Sequence, residues 1–142
     1  MASANFTIFP RTLATAGINF SSVSLKVLLT SSVPSGANLD AWAFRSDVTN
    51  EITGTGYTAG GIAQAYTLSA LDTTNNKQSI VMTDITAGWT TATFTAFGAI
   101  IYVDTGSSAT DKLITFVDFG GGIPVSSGSF SIDYTSSLDI FA

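Results

Sequence analysis

The stretch Gly54-Thr55-Gly56-Tyr57-Thr58-Ala59-Gly60-Gly61 divides the chain into two kinds of sequence. Four of its eight residues are glycine, so backbone shape matters here more than side-chain identity. Tyr57 can fix such a loop by burying its ring while its hydroxyl finds a partner. Upstream the sequence is rich in loops; downstream it reads as short strands and turns. The stretch is read as a hinge between an N-terminal attachment region and a β body, with Gly54, Gly56, Gly60 and Gly61 as structural turn positions.

A phosphate-binding reading fails on context. A P-loop needs Lys-Ser/Thr after its last glycine, and Ile62 and Ala63 stand there instead. A dinucleotide fingerprint needs a following helix, whereas Ile62–Leu71 is patterned as a strand. A glycine-rich turn remains.

Moving towards the N-terminus, Asp40–Ile52 carries Ala41, Phe44 and Val48 at helical spacing, with Asp40 as a cap; a short helix or irregular segment is expected. Ser32–Asn38, with Pro34 and Gly36, reads as a loop. Phe20–Ser31 is a strand: Val23, Leu25, Val27 and Leu29 share one face, and Ser24, Lys26 and Thr30 the other. Leu28 interrupts the polar face, so part of that side must be covered too. Near the start, Phe6 and Ile8 alternate around Thr7 before Pro10. Two readings stand for residues 1–16: an arm that docks on a neighbouring subunit, or, more blandly, a poorly ordered terminus or an edge strand of the chain's own domain.

Moving towards the C-terminus, Ile62, Gln64, Tyr66 and Leu68 share one face of a strand that ends near Leu71. A turn over Asp72–Asn76 and a partner strand over Gln78–Thr83 complete a hairpin. Thr91–Phe97 favours strand. Ala99–Asp104 and Lys112–Phe119 flank a polar loop, and their nearly continuous apolar runs call for cover on both faces or use in assembly. Gly120-Gly121-Gly122 is read as a bend; Phe130, Ile132 and Tyr134 then alternate with polar residues, and Leu138, Ile140 and Phe141 form a last strand. About eight short strands with regular turns predict an all-β fold, an antiparallel β-sandwich or jelly roll spanning residues 17–142 behind the arm.

Composition narrows the function. Only 11% of the 142 residues are charged and the net charge is −5. Arg11, Lys26, Arg45, Lys77 and Lys112 are scattered, which leaves little means of neutralising phosphates, so no nucleic-acid partner is expected. The chain has neither Cys nor His, which removes thiol chemistry, Cys-ligated metals and the Ser-His-Asp triad. No basic-then-apolar leader opens it and no apolar run nears the roughly 18 residues of a membrane span. A soluble protein without cofactor, metal or membrane partner is expected.

Residual chemistry is thin. Asp104, Asp111, Asp118 and Asp133 can be paired on paper as glycosidase carboxylates, but they sit at strand ends or on polar faces. Asp118-Phe119-Gly120 spells the kinase magnesium motif without its lysine or catalytic loop. Asp104 and Asp111 lack the further ligands of a calcium loop. Trp42 and Trp89 offer sugar-stacking rings, though in a β domain such rings usually belong to a core or interface.

The order of landmarks carries a resemblance. Leu25-Lys26-Val27-Leu28-Leu29, Asn50-Glu51-Ile52, the Gly-Tyr-Thr-Ala-Gly-Gly box ending at Gly61, Trp89-Thr90, Ile101-Tyr102 and Asp118-Phe119-Gly120-Gly121 follow one another as in small virion structural proteins of tailed bacteriophages. Length, lack of His and Cys, and Ser/Thr/Gly-rich β content resemble capsid decoration (cement) proteins. That resemblance implies a non-enzymatic protein on the capsid surface, made in the host cytoplasm. It implies binding to the major capsid protein at capsomer junctions as a homo-oligomer, dimer or trimer. A tail or neck component and a carbohydrate-binding adsorption module are the alternatives. Phe6, Ile8, Phe9, Trp42 and Tyr57 are the candidate interface anchors, and Gly120 and Gly121 the further structural turns.

Overall fold

In the computed structural model, residues 2–6, 9 and 10, 17–135, 138 and 139 are described. The elements are β1 (Ala2–Asn5), β2 (Ser24–Thr30), α1 (Gly36–Ala41), a 3₁₀ turn (Arg45–Asp47), β3 (Ile62–Gln64), β4 (Tyr66–Leu68), β5 (Ser79–Met82), β6 (Ile85–Asp104), β7 (Leu113–Ile132) and β8 (Leu138–Asp139). The strands form two antiparallel sheets: five strands in the order β1-β7-β6-β2-β3, and three in the order β4-β5-β8. The all-β sandwich expected from the strand pattern is observed.

The period-two face of β2 builds the main core. Leu25, Val27 and Leu29 pack with Ile80 and Met82 of the small sheet and with Ile101, Val103 and Ile114 of the large one. Leu28 points the other way into a second core with Phe6, Trp42, Ile100, Tyr102, Leu113 and Phe116, roofed by Leu39 and Val48. The middle of the large sheet is thus covered on both faces, which is why its strands read as unbroken apolar runs.

Several expected boundaries shift, for physical reasons. The helix lies four residues earlier than the stripe over Asp40–Ile52 predicts, because Ser35 caps it: the Asn38 N–H donates to Ser35 Oγ at 3.2 Å. Ile62–Leu71 is two strands, not one. The chain leaves the large sheet at Gln64 and joins the small one at Tyr66. Gln64 makes this crossing possible. Its buried amide donates to the carbonyls of Ala65 and Thr83, both at 2.8 Å, and accepts from the Tyr134 hydroxyl at 2.7 Å.

The short strands expected on either side of Gly98 and of Gly120–Gly122 are instead two strands of 20 residues each, β6 and β7. The glycines mark irregularities inside the strands rather than their ends. Phe119, Gly120, Gly121 and Gly122 stand opposite Phe97 alone, a wide bulge, and the Phe116 ring lies across Gly98.

Of the two readings for the N-terminal segment, the edge strand is observed where residues are described. β1 pairs with β7 from Ala2↔Asp118 to Asn5↔Thr115, and Phe6 follows it into the second core.

Candidate functional site: the glycine box and its polar anchor

The glycine box lies flat against the large sheet and completes it. Thr55 bridges Thr93 of β6, with the Thr93 N–H donating to the Thr55 carbonyl at 3.0 Å. Gly61 approaches β2 so closely that a Cβ there would stand 1.8 Å from the Val27 carbonyl oxygen, and its φ is +71°. No other residue fits that position.

Tyr57 ties the box to both sheet and core. Its ring lies parallel to Trp89 at 6.3 Å and edge-on to Phe94 at 6.0 Å. Its hydroxyl accepts from the Leu29 N–H at 3.1 Å and donates to Glu51 Oε1 at 2.8 Å. On that edge of β2, β3 pairs up to Val27, and Ile52 bonds the Leu29 carbonyl. The Tyr57 hydroxyl fills the gap between them, satisfying an N–H that has no strand partner. Burial pushes the Tyr57 phenol well above its ordinary pKa, so it remains a donor at any physiological pH.

A second polar layer backs the box. The Gly60 N–H donates to the same Glu51 oxygen, and the Gly60 carbonyl accepts from the Tyr102 hydroxyl at 2.6 Å. The Arg45 guanidinium lies over the Tyr102 ring, 5.5 Å from its centroid, and bonds Asp111 Oδ2 at 2.8 Å. Asp111 is fully buried. Burial alone would raise its carboxyl, but the Thr105 N–H and hydroxyl together with Arg45 outweigh that and hold it below the usual range.

The predicted anchors are placed differently from their expectation. Phe6, Phe9 and Trp42 are buried in the chain's own cores, and Tyr57 is half-buried against the first of them. None of these four rings is a free anchor. Ile8 lies outside the described residues. Removing residues 1–10 would strip an edge strand and two core rings, so it would unfold part of the sheet rather than only detach an arm. Trp89 is buried as deeply as the anchors, which withdraws both tryptophans as sugar-stacking platforms. The six candidate turn glycines all take positive φ, Gly120 and Gly121 within the β7 bulge.

Three of the four carboxylates singled out from sequence are engaged within the chain. Asp104 pairs with Lys26 at 3.1 Å, Asp118 accepts from the Gly120 N–H at 2.8 Å, and Asp111 is held as above. Among the described residues no group of three or more Asp or Glu is arranged to hold a metal. The sequence reading missed Arg45 and Glu51 as partners. Nothing distinguishes them from solvated charges until the two residues they meet, Asp111 and Tyr57, are seen buried.

What the fold leaves exposed is largely uncharged. Along β6 and β7 only Asp104 and Asp118 carry charge, and Thr91, Thr93, Thr95, Ile123, Ser126 and Ser129 face solvent. Comparison with protein families, with curated proteins and with solved structures returned no match.

Proposed function

We propose that this chain is a non-enzymatic structural protein of a tailed-phage virion, a decoration protein that binds the major capsid protein at capsomer junctions as a homo-oligomer. The observation that carries the reading is the outer face of the β6–β7 hairpin, a long neutral surface of threonine, serine and glycine with Thr95 and its partner Pro124 at its middle. Such a surface loses little on leaving water because it holds no charge to desolvate. The resemblance of the Gly-Tyr-Thr-Ala-Gly-Gly box and of Asp118-Phe119-Gly120-Gly121 to virion proteins supports the same assignment.

The mechanism is mechanical. A two-core sheet whose edge is sealed by the glycine box is a stiff plate, and contacts along one face of such a plate spread load across a subunit junction. The test is a cryo-EM reconstruction of the intact particle. Density for this chain over capsomer junctions is the expected result. Density confined to neck or tail would replace the head assignment with the tail one, and an absence from the particle would overturn the virion reading.

A further inference from the structure

We propose that the glycine box is a carboxylate-binding loop, and that Glu51 is its built-in ligand. The box fails every requirement of a nucleotide loop, yet it does what an anion-binding loop does. Gly60, left-handed at φ +87°, presents its N–H inward, while the N–H of left-handed Gly61 closes the turn on the Thr58 carbonyl at 2.9 Å. That N–H and the Tyr57 hydroxyl converge on one oxygen, Glu51 Oε1. The Arg45 guanidinium supplies the positive charge. A Cβ at Gly60 would stand 3.3 Å from Arg45 Nη1, so the guanidinium lines the same hollow, and Arg45 is stabilised by the charge of Glu51 as well as that of Asp111. Two converging donors and a cation are the recognition set for a carboxylate.

Both donors come from the box, the positive charge from the 3₁₀ turn that carries Arg45, and β6 braces the box through Tyr102, which donates to the Gly60 carbonyl. The ligand comes from a fourth, the extended segment beside Thr30. The anion is therefore what the box closes around. Without a carboxylate the Gly60 N–H and the Tyr57 hydroxyl both lose their acceptor in a half-buried site, and Arg45 loses one of its two counter-charges.

The site is tested by vacating it in the full-length chain. Glu51→Ala removes the ligand and leaves the receptor. Thermal unfolding of this variant is followed in increasing sodium acetate or sodium formate, with sodium chloride at matched ionic strength as the control. The expected result is a lowered midpoint in chloride and a saturable rise in acetate and formate that the wild type does not show. The same rise should vanish in Glu51→Ala/Arg45→Met. If Glu51→Ala does not fold in chloride, the readout becomes refolding yield, which acetate should restore. A variant whose midpoint or yield responds equally to acetate and chloride would overturn the proposal. So would a rescue that persists when Arg45 is replaced.

Discussion

The β6–β7 hairpin has two halves that obey different rules. In the first, Gly98–Asp104 pairs with Leu113–Asp118, β1 and β2 flank it on either side, and Leu113 through Val117 are all buried. In the second, Ile85–Phe97 runs beside Phe119–Ile132 with repeated register shifts, and residues Gly120 to Pro124 are all exposed. Thr91 and Ser127 there take positive φ, which strains any residue with a Cβ and most of all the β-branched Thr91. One half is a scaffold fixed by two cores, the other a bulged ribbon packed on one face. The lesson is that strand length alone does not define a structural unit; what covers the strand does.

The sharpest way to break the comparison is to place the same substitution in both settings. Gly61→Ala and Gly120→Ala each force alanine to positive φ, +71° and +79°. At Gly61 the new methyl also meets the Val27 carbonyl, while at Gly120 nothing lies within 4 Å. Gly61→Ala should cost about 4 kcal/mol or more, at the upper end for single substitutions. Gly120→Ala should cost only the backbone strain, about 1–2 kcal/mol. Urea unfolding midpoints of the two variants check this, and similar losses would mean that the box does not hold β2 as described.

Packing gives the next contrast. Phe116→Ala empties a ring from the second core and should cost about 3–5 kcal/mol. Val125→Ala, on the partly covered ribbon, should cost about 1 kcal/mol. Equal losses would show that the ribbon is as tightly packed as the scaffold.

How much of this was legible follows from what each signal can encode. Leu25, Val27 and Leu29 announced a core face, and Leu28 announced cover on the opposite side. The run Ile100–Val103 called for cover on both faces or use in assembly, and an apolar run cannot say which. Phe6 and Trp42, candidate anchors for a partner by sequence, are the cover itself. Glycine has the same ambiguity: Gly98 and Gly120–Gly122 mark backbone irregularity, and a bulge satisfies it as well as a turn does. Tyr57 was legible because an aromatic among glycines has little else to do than pin them. Its acceptor Glu51 and the Arg45–Asp111 pair depend on contacts across the chain, which no local pattern records.

Acid and alkali separate the anchor from the ribbon. Asp111 has a folded pKa below its ordinary value, so its stabilisation is present above the unfolded value of about 3.9 and is lost as pH falls through the folded one. Stability of the wild type should therefore decline below about pH 4. Asp111→Asn should be less stable at neutral pH and show a shallower acid decline. Asp72, also lowered but by its own exposed turn, stays intact in both chains and cancels in the comparison. At the other extreme, burial raises the phenols of Tyr57, Tyr102 and Tyr134. Their stabilisation is complete below the unfolded tyrosine value of about 10 and is lost above it. Tyr57→Phe should flatten that alkaline decline. At neutral pH it should cost about 1–3 kcal/mol, because the Leu29 N–H loses its acceptor.

The smallest expected effect on stability bears most directly on function. Thr95 is exposed at the centre of the ribbon's outer face, opposite Pro124. Replacing it with lysine removes little buried area and leaves the cores alone, so the unfolding midpoint should move by no more than about 0.5 kcal/mol. If the ribbon is the contact surface, the same change places a charge in a neutral junction, where desolvation makes it costly. Thr95→Lys should then fold like the wild type and fail to co-sediment with particles, while Val33→Lys, at another exposed site in the loop after β2, should bind normally. Normal binding by Thr95→Lys would move the contact off the ribbon and leave its strained, bulged half without the role assigned to it.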